Sequence, residues 1–380
     1  MREYDKPVPV IYYHSVGEKN PGWKRNFLTL GTKYFEDQIR YFRKNFSVIS
    51  LKEMLDIREG SAKPVSNPLV ITFDDGYLDN WIWAFPVLKR YDTKATIFVS
   101  PEFVDPRPVV RPTSLDIEKG RADFDQAGNG SFLSWDEMRL MEQSGLIDIQ
   151  SHTMTHTKLF VSDHLTGFHP GADSFYAICN LFRDYKPYCI SDPGFDELPE
   201  PGYPIFEEKS ALIARAVTIN KDFNDESIAL LKSYPFGKYE FSSAWARIKP
   251  VYEYFKSQNR LIMAVETEQD YLKRLHYEIY ESKAVIEKAL NKRVDIIAWP
   301  HGDTSETAVE LAFAAGYRGI TSGKILSGRS DFRIFPERIG TGTIAKSRFL
   351  TIWRTRMKVN RYIKRFPYFQ IDKLYRLIKD

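Results

Sequence analysis

Two carboxylates stand side by side at Asp74-Asp75, and two imidazoles stand four residues apart at His152 and His156. The carboxylates close an apolar run, Val70-Ile71-Thr72-Phe73, and Gly76 follows them. Asp-Asp-Gly alone is ordinary turn chemistry, since both residue types are frequent turn formers. The histidines change that reading. They close a second short run, Ile147-Asp148-Ile149-Gln150-Ser151, and on a helical turn residues i and i+4 share a face, so both rings could reach one metal ion. Two imidazoles and a carboxylate make a three-ligand set. Three protein ligands with an open fourth position describe a catalytic rather than a structural zinc site.

These side chains need rigid elements behind them. Residues 67–73 read as a buried strand entered through Pro68, which delivers Asp74 and Asp75 to its C-terminal edge, where α/β folds keep their chemistry. Neighbouring strand residues point to opposite faces, so the two acids can take different roles. Residues 7–14 form a first strand ending at His14, a histidine whose plain reading is structural. Phe35, Ile39 and Phe42 recur at helical spacing, and 46–50 is a short strand. A helix is expected over 79–90, with Pro86 kinking or stopping it, then a strand at 95–99 and a Ser134-capped helix. Alternating strands and helices call for a parallel sheet or barrel.

From 157 to about 270 that rhythm is lost among turn sequences, yet the stretch is too rich in Phe, Tyr, Leu and Ile for disorder. It is expected to be an insertion over the barrel mouth or a small separate domain. Regular structure returns with a helix over 271–290 and a strand over 294–299, ending at Pro300-His301-Gly302-Asp303. A helix over 304–315 and a strand over 317–321 follow.

Composition bounds the class. Hydrophobic content of 43% and charged content of 27% are those of a globular protein. No run approaches the roughly 18 apolar residues of a membrane span, and the start, Met-Arg-Glu-Tyr-Asp-Lys-Pro, lacks the apolar core of a secretory signal. Cys179 and Cys189 are too few for a disulfide framework. The expected location is the cytoplasm. Residues 346–380 hold eleven basic and two acidic side chains, net +9, leaving −5 for the rest of a chain whose total is +4. An acidic body excludes nucleic acid as a partner, since a basic patch should then surround the site. The tail interleaves cations with aromatics such as Trp353, Tyr362 and Phe366 and is interrupted by Pro367. It suits either peripheral docking on the anionic inner face of a membrane or a C-terminal helix packing its apolar stripe on the body.

Thr72-Phe73-Asp74-Asp75-Gly76 and Ser151-His152-Thr153-Met154-Thr155-His156 resemble the first two motifs of the polysaccharide deacetylases, the NodB-like carbohydrate esterases. Tyr13-His14-Ser15-Val16 is similar to the N-terminal segment of the circularly permuted exopolysaccharide de-N-acetylases. The resemblance implies a distorted (β/α) barrel of about seven strands, formed here by 1–157 and 270–345, with an insertion at 158–269 and the basic tail at 346–380. It implies that Asp75, His152 and His156 hold a divalent metal, Zn²⁺ by default with Co²⁺, Ni²⁺ or Fe²⁺ as alternatives, and that Asp74 acts as base on the attacking water. His14 would protonate the leaving nitrogen, and the backbone N–H of His301, after the proline of a Pro-aromatic-Gly motif, would hold the oxyanion. Tyr234-Pro235-Phe236-Gly237 copies that motif without a strand before it and is read as a decoy.

The family places an arginine two residues before the proline to hold the base. Ala298 stands there, so the support is absent or comes from elsewhere, with Arg338 as a candidate against the plainer reading of a surface arginine. The implied substrate is an N-acetylated sugar or glycan, and a cytoplasmic enzyme would meet it in nucleotide-linked or lipid-linked form. Two other classes remain open: a metal hydrolase of another ester or amide, and a non-catalytic sugar-binding barrel. A phosphoester target would favour Arg or Lys clamps near the site.

Overall fold

A computed structural model of the chain describes residues 7–18, 26–123, 131–171, 186, 200–236, 241–342, 347–368 and 370. Cys179, Cys189 and the last ten residues of the tail lie outside them. The strands are β1 Val10–Tyr13, β2 Ser15–Val16, β3 Thr29–Leu30, β4 Ser47–Ile49, β5 Pro68–Phe73, β6 Ala95–Val99, β7 Ile147–Ser151, β8 Lys158–Phe168, β9 Pro204–Ser210, β10 Val217–Ile219, β11 Ile262–Val265, β12 Ile296–Ile297, β13 Gly319–Thr321, β14 Ile334–Phe335 and β15 Arg338–Gly340.

The chain divides into two units. The first comprises residues 1–154 and 280–380. Its sheet runs β14-β13-β12-β7-β6-β5-β1-β15, with β4 paired to the first half of β5, and every pairing is parallel. This is a curled half-barrel flanked by helices. Parallel strands buried on both faces read as continuous apolar runs, and β6, Ala95-Thr96-Ile97-Phe98-Val99, is buried at every position. Val10, Leu55, Val70, Phe98, Ile296 and Phe335 join sheet and helix in one cluster. Each such side chain stabilises the fold by roughly 1.5–3 kcal/mol relative to exposure.

The helix expected over 79–90 is instead a π-helical turn, Asn80–Ala84, followed by an α-helix over Phe85–Arg90. Pro86 sits in the first turn of that α-helix, where its missing N–H costs least. The helix expected over 271–290 carries the same feature: Tyr277–Glu281 is π-helical between Glu268–His276 and Ser282–Leu290.

The second unit spans residues 155–279. Two antiparallel pairs, β8–β9 and β10–β11, replace the parallel rhythm. Helices Lys221–Leu231 and Phe241–Ser257 contribute Phe223, Leu231, Ile248 and Phe255 to a cluster with Leu165 and Phe206. The unit thus has a hydrophobic core of its own. Tyr234 and Phe236, the aromatics of the decoy motif, pack against that core.

The basic segment forms a helix over Arg348–Tyr362, within the first unit. Its buried side is Thr351, Thr355, Val359 and Asn360. Gln38 Nε2 donates to Thr355 Oγ1 at 3.0 Å, and Asn360 Nδ2 donates to Tyr41 Oη at 3.0 Å. The helix packs on the body, but the expectation of an apolar stripe turned inward is corrected in its composition: Val359 is joined there by Thr and Asn, while Phe349 and Trp353 stay exposed.

Candidate metal and acid–base site

β5 ends at Phe73, and the chain turns through Asp75 and Gly76 with φ of 71° and 68°. The left-handed conformation, which Asp tolerates better than most residues, separates the two carboxylates. A Cβ at Gly76 would stand 2.8 Å from Val99 Cγ1, so the turn also requires glycine for its approach to β6.

Asp74 is buried and meets Arg338 through two parallel hydrogen bonds, Nη1 to Oδ1 at 2.6 Å and Nη2 to Oδ2 at 2.8 Å. Such a fork fixes orientation as well as charge. Burial pushes the Asp74 carboxyl up, but the Arg338 guanidinium outweighs it and holds the group below the usual carboxylate value. Arg338 gets there because β15 pairs with β1 in the register Val10↔Arg338, and β1 in turn pairs with β5. Arg338, not a residue at 298, holds the carboxylate.

Asp75 faces the histidines. One ligand atom from each of Asp75, His152 and His156 lies within 4.8 Å of the others, and all three residues are buried. The two imidazoles do not share a helical face. His152–Thr157 is irregular backbone, and Thr153 and His156 adopt φ of 64° and 51°. The correction has a physical cause: a helical turn would need the backbone donors here to reach i−4 carbonyls, and they bond to other groups. His152 N donates to Val99 O at 2.8 Å and Thr155 N to Glu278 Oε2 at 2.9 Å. A β-branched residue at positive φ is strained, at a cost of about 1–3 kcal/mol of the kind kept at functional sites.

The donor set fits a divalent ion. His152 Nδ1 is 3.0 Å from Ala298 O, which leaves Nε2 for the cluster, 3.4 Å from Asp75 Oδ1. That gap is long for a hydrogen bond but matches the roughly 3.3 Å edge of a tetrahedron built on zinc–ligand bonds of about 2.0 Å. Anchoring one ring nitrogen on a carbonyl, as here, is the usual way a ligating imidazole is held.

His14 directly follows β1. Asn80 Nδ2 donates to the His14 carbonyl at 2.9 Å and to Asp79 Oδ1 at 2.8 Å, while Ser15 Oγ donates to Asp79 Oδ2. Burial pushes the Asp79 carboxyl up to about 7 despite these donors. His301 lies in a short 3₁₀ turn, Pro300–Gly302, at φ 58°. Its ring is exposed, and the turn follows Ala298, whose N donates to Ser151 O at 2.9 Å beside His152.

Asp79, Asn80 and Glu278 were not singled out in the sequence. Glu278 is buried on the π-helical turn Tyr277–Glu281, accepting from Thr155 N and from Thr155 Oγ1. Lys186 Nζ donates to Thr155 O and Thr157 Oγ1, both at 2.7 Å. These two groups clamp the backbone on either side of His156.

Residues 62–169 match the family model described as polysaccharide deacetylase, a span that contains Asp74, Asp75, His152 and His156. The chain is 31% identical over 158 residues to "Putative polysaccharide deacetylase YxkH" of Bacillus subtilis (strain 168), covering 41% of this chain and 46% of that one. It is 24% identical over 144 residues to the poly-beta-1,6-N-acetyl-D-glucosamine N-deacetylase of Escherichia coli (strain K12), 38% of this chain and 20% of that protein. The matches thus span less than half the length of either relative. A solved structure of a de-N-acetylase from Aggregatibacter actinomycetemcomitans shares the fold, with TM-score 0.52 and 17% identity over 91% of this chain and 98% of that one. The resemblance carried by the Asp-Asp and His-His motifs is to this family, and so is the fold.

Proposed function

We propose that this chain hydrolyses the N-acetyl amide of an amino sugar in a glycan or a carrier-linked precursor, giving acetate and a free amine. The observation that carries the reading is the paired arrangement at the end of β5: Asp74 locked by Arg338, and Asp75 turned the other way toward His152 and His156. A sugar-binding site needs no ionised buried carboxylate held in a fork. The named activity of the Escherichia coli relative, removal of acetyl groups from poly-N-acetylglucosamine, supplies the substrate class.

A divalent ion, Zn²⁺ or else Co²⁺, Ni²⁺ or Fe²⁺, held by Asp75, His152 and His156 would polarise the acyl oxygen and acidify the attacking water. Asp74 takes the proton from that water, and Arg338 keeps Asp74 ionised and aimed. The His301 N–H donates to the oxygen that gains negative charge as the new C–O bond forms. His14 then gives a proton to the nitrogen as the C–N bond breaks. The His14 carbonyl bond to Asn80 fixes the segment on which the ring is carried.

The reading is tested with purified protein and N-acetylglucosamine oligomers. Acetate and primary amine should appear in equal amounts, fall to background with chelator, and return when Zn²⁺ is restored. Turnover that survives complete metal removal would overturn it.

A further inference from the structure

The Arg348–Tyr362 helix turns its aromatic side away from the fold that holds it. Phe349, Trp353 and Leu350 are 73%, 48% and 40% exposed, and Phe366 beyond the helix is 76% exposed. Between this helix and Thr32–Asn45 runs a groove of about 600 Å³. Its walls carry Arg40, Lys44, Arg348 and Arg356 against one carboxylate, Asp37. Asp37 is already engaged: Arg348 Nη2 donates to its Oδ1 at 2.6 Å, and Arg40 lies 4.0 Å away. Among the described residues, Lys44 and Arg356 have no carboxylate partner, and Arg356 lies over the Tyr41 ring at 5.1 Å. Phe349 and Ile352 supply the apolar part of the wall.

Cations without a carboxylate partner lining a groove, and aromatics exposed on the same helix, complement one kind of surface. We propose that this face docks on an anionic phospholipid bilayer. Lipid phosphates sit between Lys44 and Arg356 while Phe349 and Trp353 enter the headgroup region. The contact is peripheral, since no helix among the described residues is long and apolar enough to cross a membrane. It does not depend on the catalytic reading, because none of these residues belongs to the metal or acid–base site.

Flotation of the full chain with vesicles is the test. Protein should float with vesicles of phosphatidylcholine and phosphatidylglycerol, stay behind with phosphatidylcholine alone, and be released by high salt. Each surface cation contributes about 1 kcal/mol, so Lys44→Ala with Arg356→Ala should weaken partitioning about thirtyfold. Phe349→Ser with Trp353→Ser should weaken it further at unchanged charge. All four side chains are exposed, and thermal unfolding and bound zinc should match the parent protein. Equal flotation with neutral vesicles, or undiminished flotation of the cation variant, would overturn the proposal. So would inorganic phosphate protecting the parent protein against thermal unfolding while anionic vesicles fail to bind it.

Discussion

Arg338 and Asp74 are separated by 264 residues in sequence and by a hydrogen bond in space. The fork has a kinetic signature. Arg338→Ala should lower turnover about 10- to 100-fold, the usual worth of a partner that orients a reacting group. It should also move the acidic limb of the kcat/KM profile to higher pH. The sign follows from the charges: Arg338 holds the Asp74 pKa down, so its loss lets burial raise that pKa, and the base is lost sooner as pH falls. An unmoved limb would show that Asp74 is not the titrating base. The two carboxylates and two histidines were legible because each pair is local in sequence. Ala298 at the expected arginine position meant that the support was absent or came from elsewhere, with Arg338 as one candidate. Nothing local could say that β15 pairs with β1 and so brings Arg338 alongside.

At the scale of elements, the site depends on backbone that departs from regular geometry. Strand–helix alternation was readable because buried parallel strands announce themselves as apolar runs and their helices begin with caps. Ser134 is such a cap, accepting from Glu137 N. The departures were not readable. In the His152–Thr157 segment the backbone donors go to distant groups or to side chains two residues back rather than to i−4 carbonyls, so i, i+4 spacing suggested a helical turn that does not form. The π-helical turn Tyr277–Glu281 adds a residue to the repeat, which blurs periodicity while placing Glu278 under Thr155. Such turns are frequent at functional sites. Glu278→Gln keeps the shape but loses the charge that receives both donors of Thr155. It should weaken zinc affinity about 10- to 100-fold, read by competition with a chromophoric chelator. Glu278→Asp should recover part of the loss. Unchanged affinity in the Gln variant would reduce Glu278 to a packing residue.

Across the whole molecule, one chain supports two cores and two charge regimes. The first unit is built on a parallel half-barrel, and the second buries Phe206, Phe223 and Phe255 in a cluster of its own. The sequence showed where the rhythm breaks but not what replaces it, because antiparallel pairs and their partners are set by contacts distant in the chain. Net +9 over residues 346–380 was likewise visible in composition. Which face of the helix meets the fold was not visible, because Thr, Val and Asn carry that contact in place of the aromatics. In the proposed reaction Asp74 is the base, beside a metal held by other residues. Zinc-loaded protein and its Asp74→Asn variant, matched for zinc content and thermal unfolding, should therefore be compared for acetate release from N-acetylglucosamine oligomers. Turnover lower by about 10²- to 10⁴-fold at equal zinc occupancy is the predicted result, and near-equal turnover of the two proteins would contradict it.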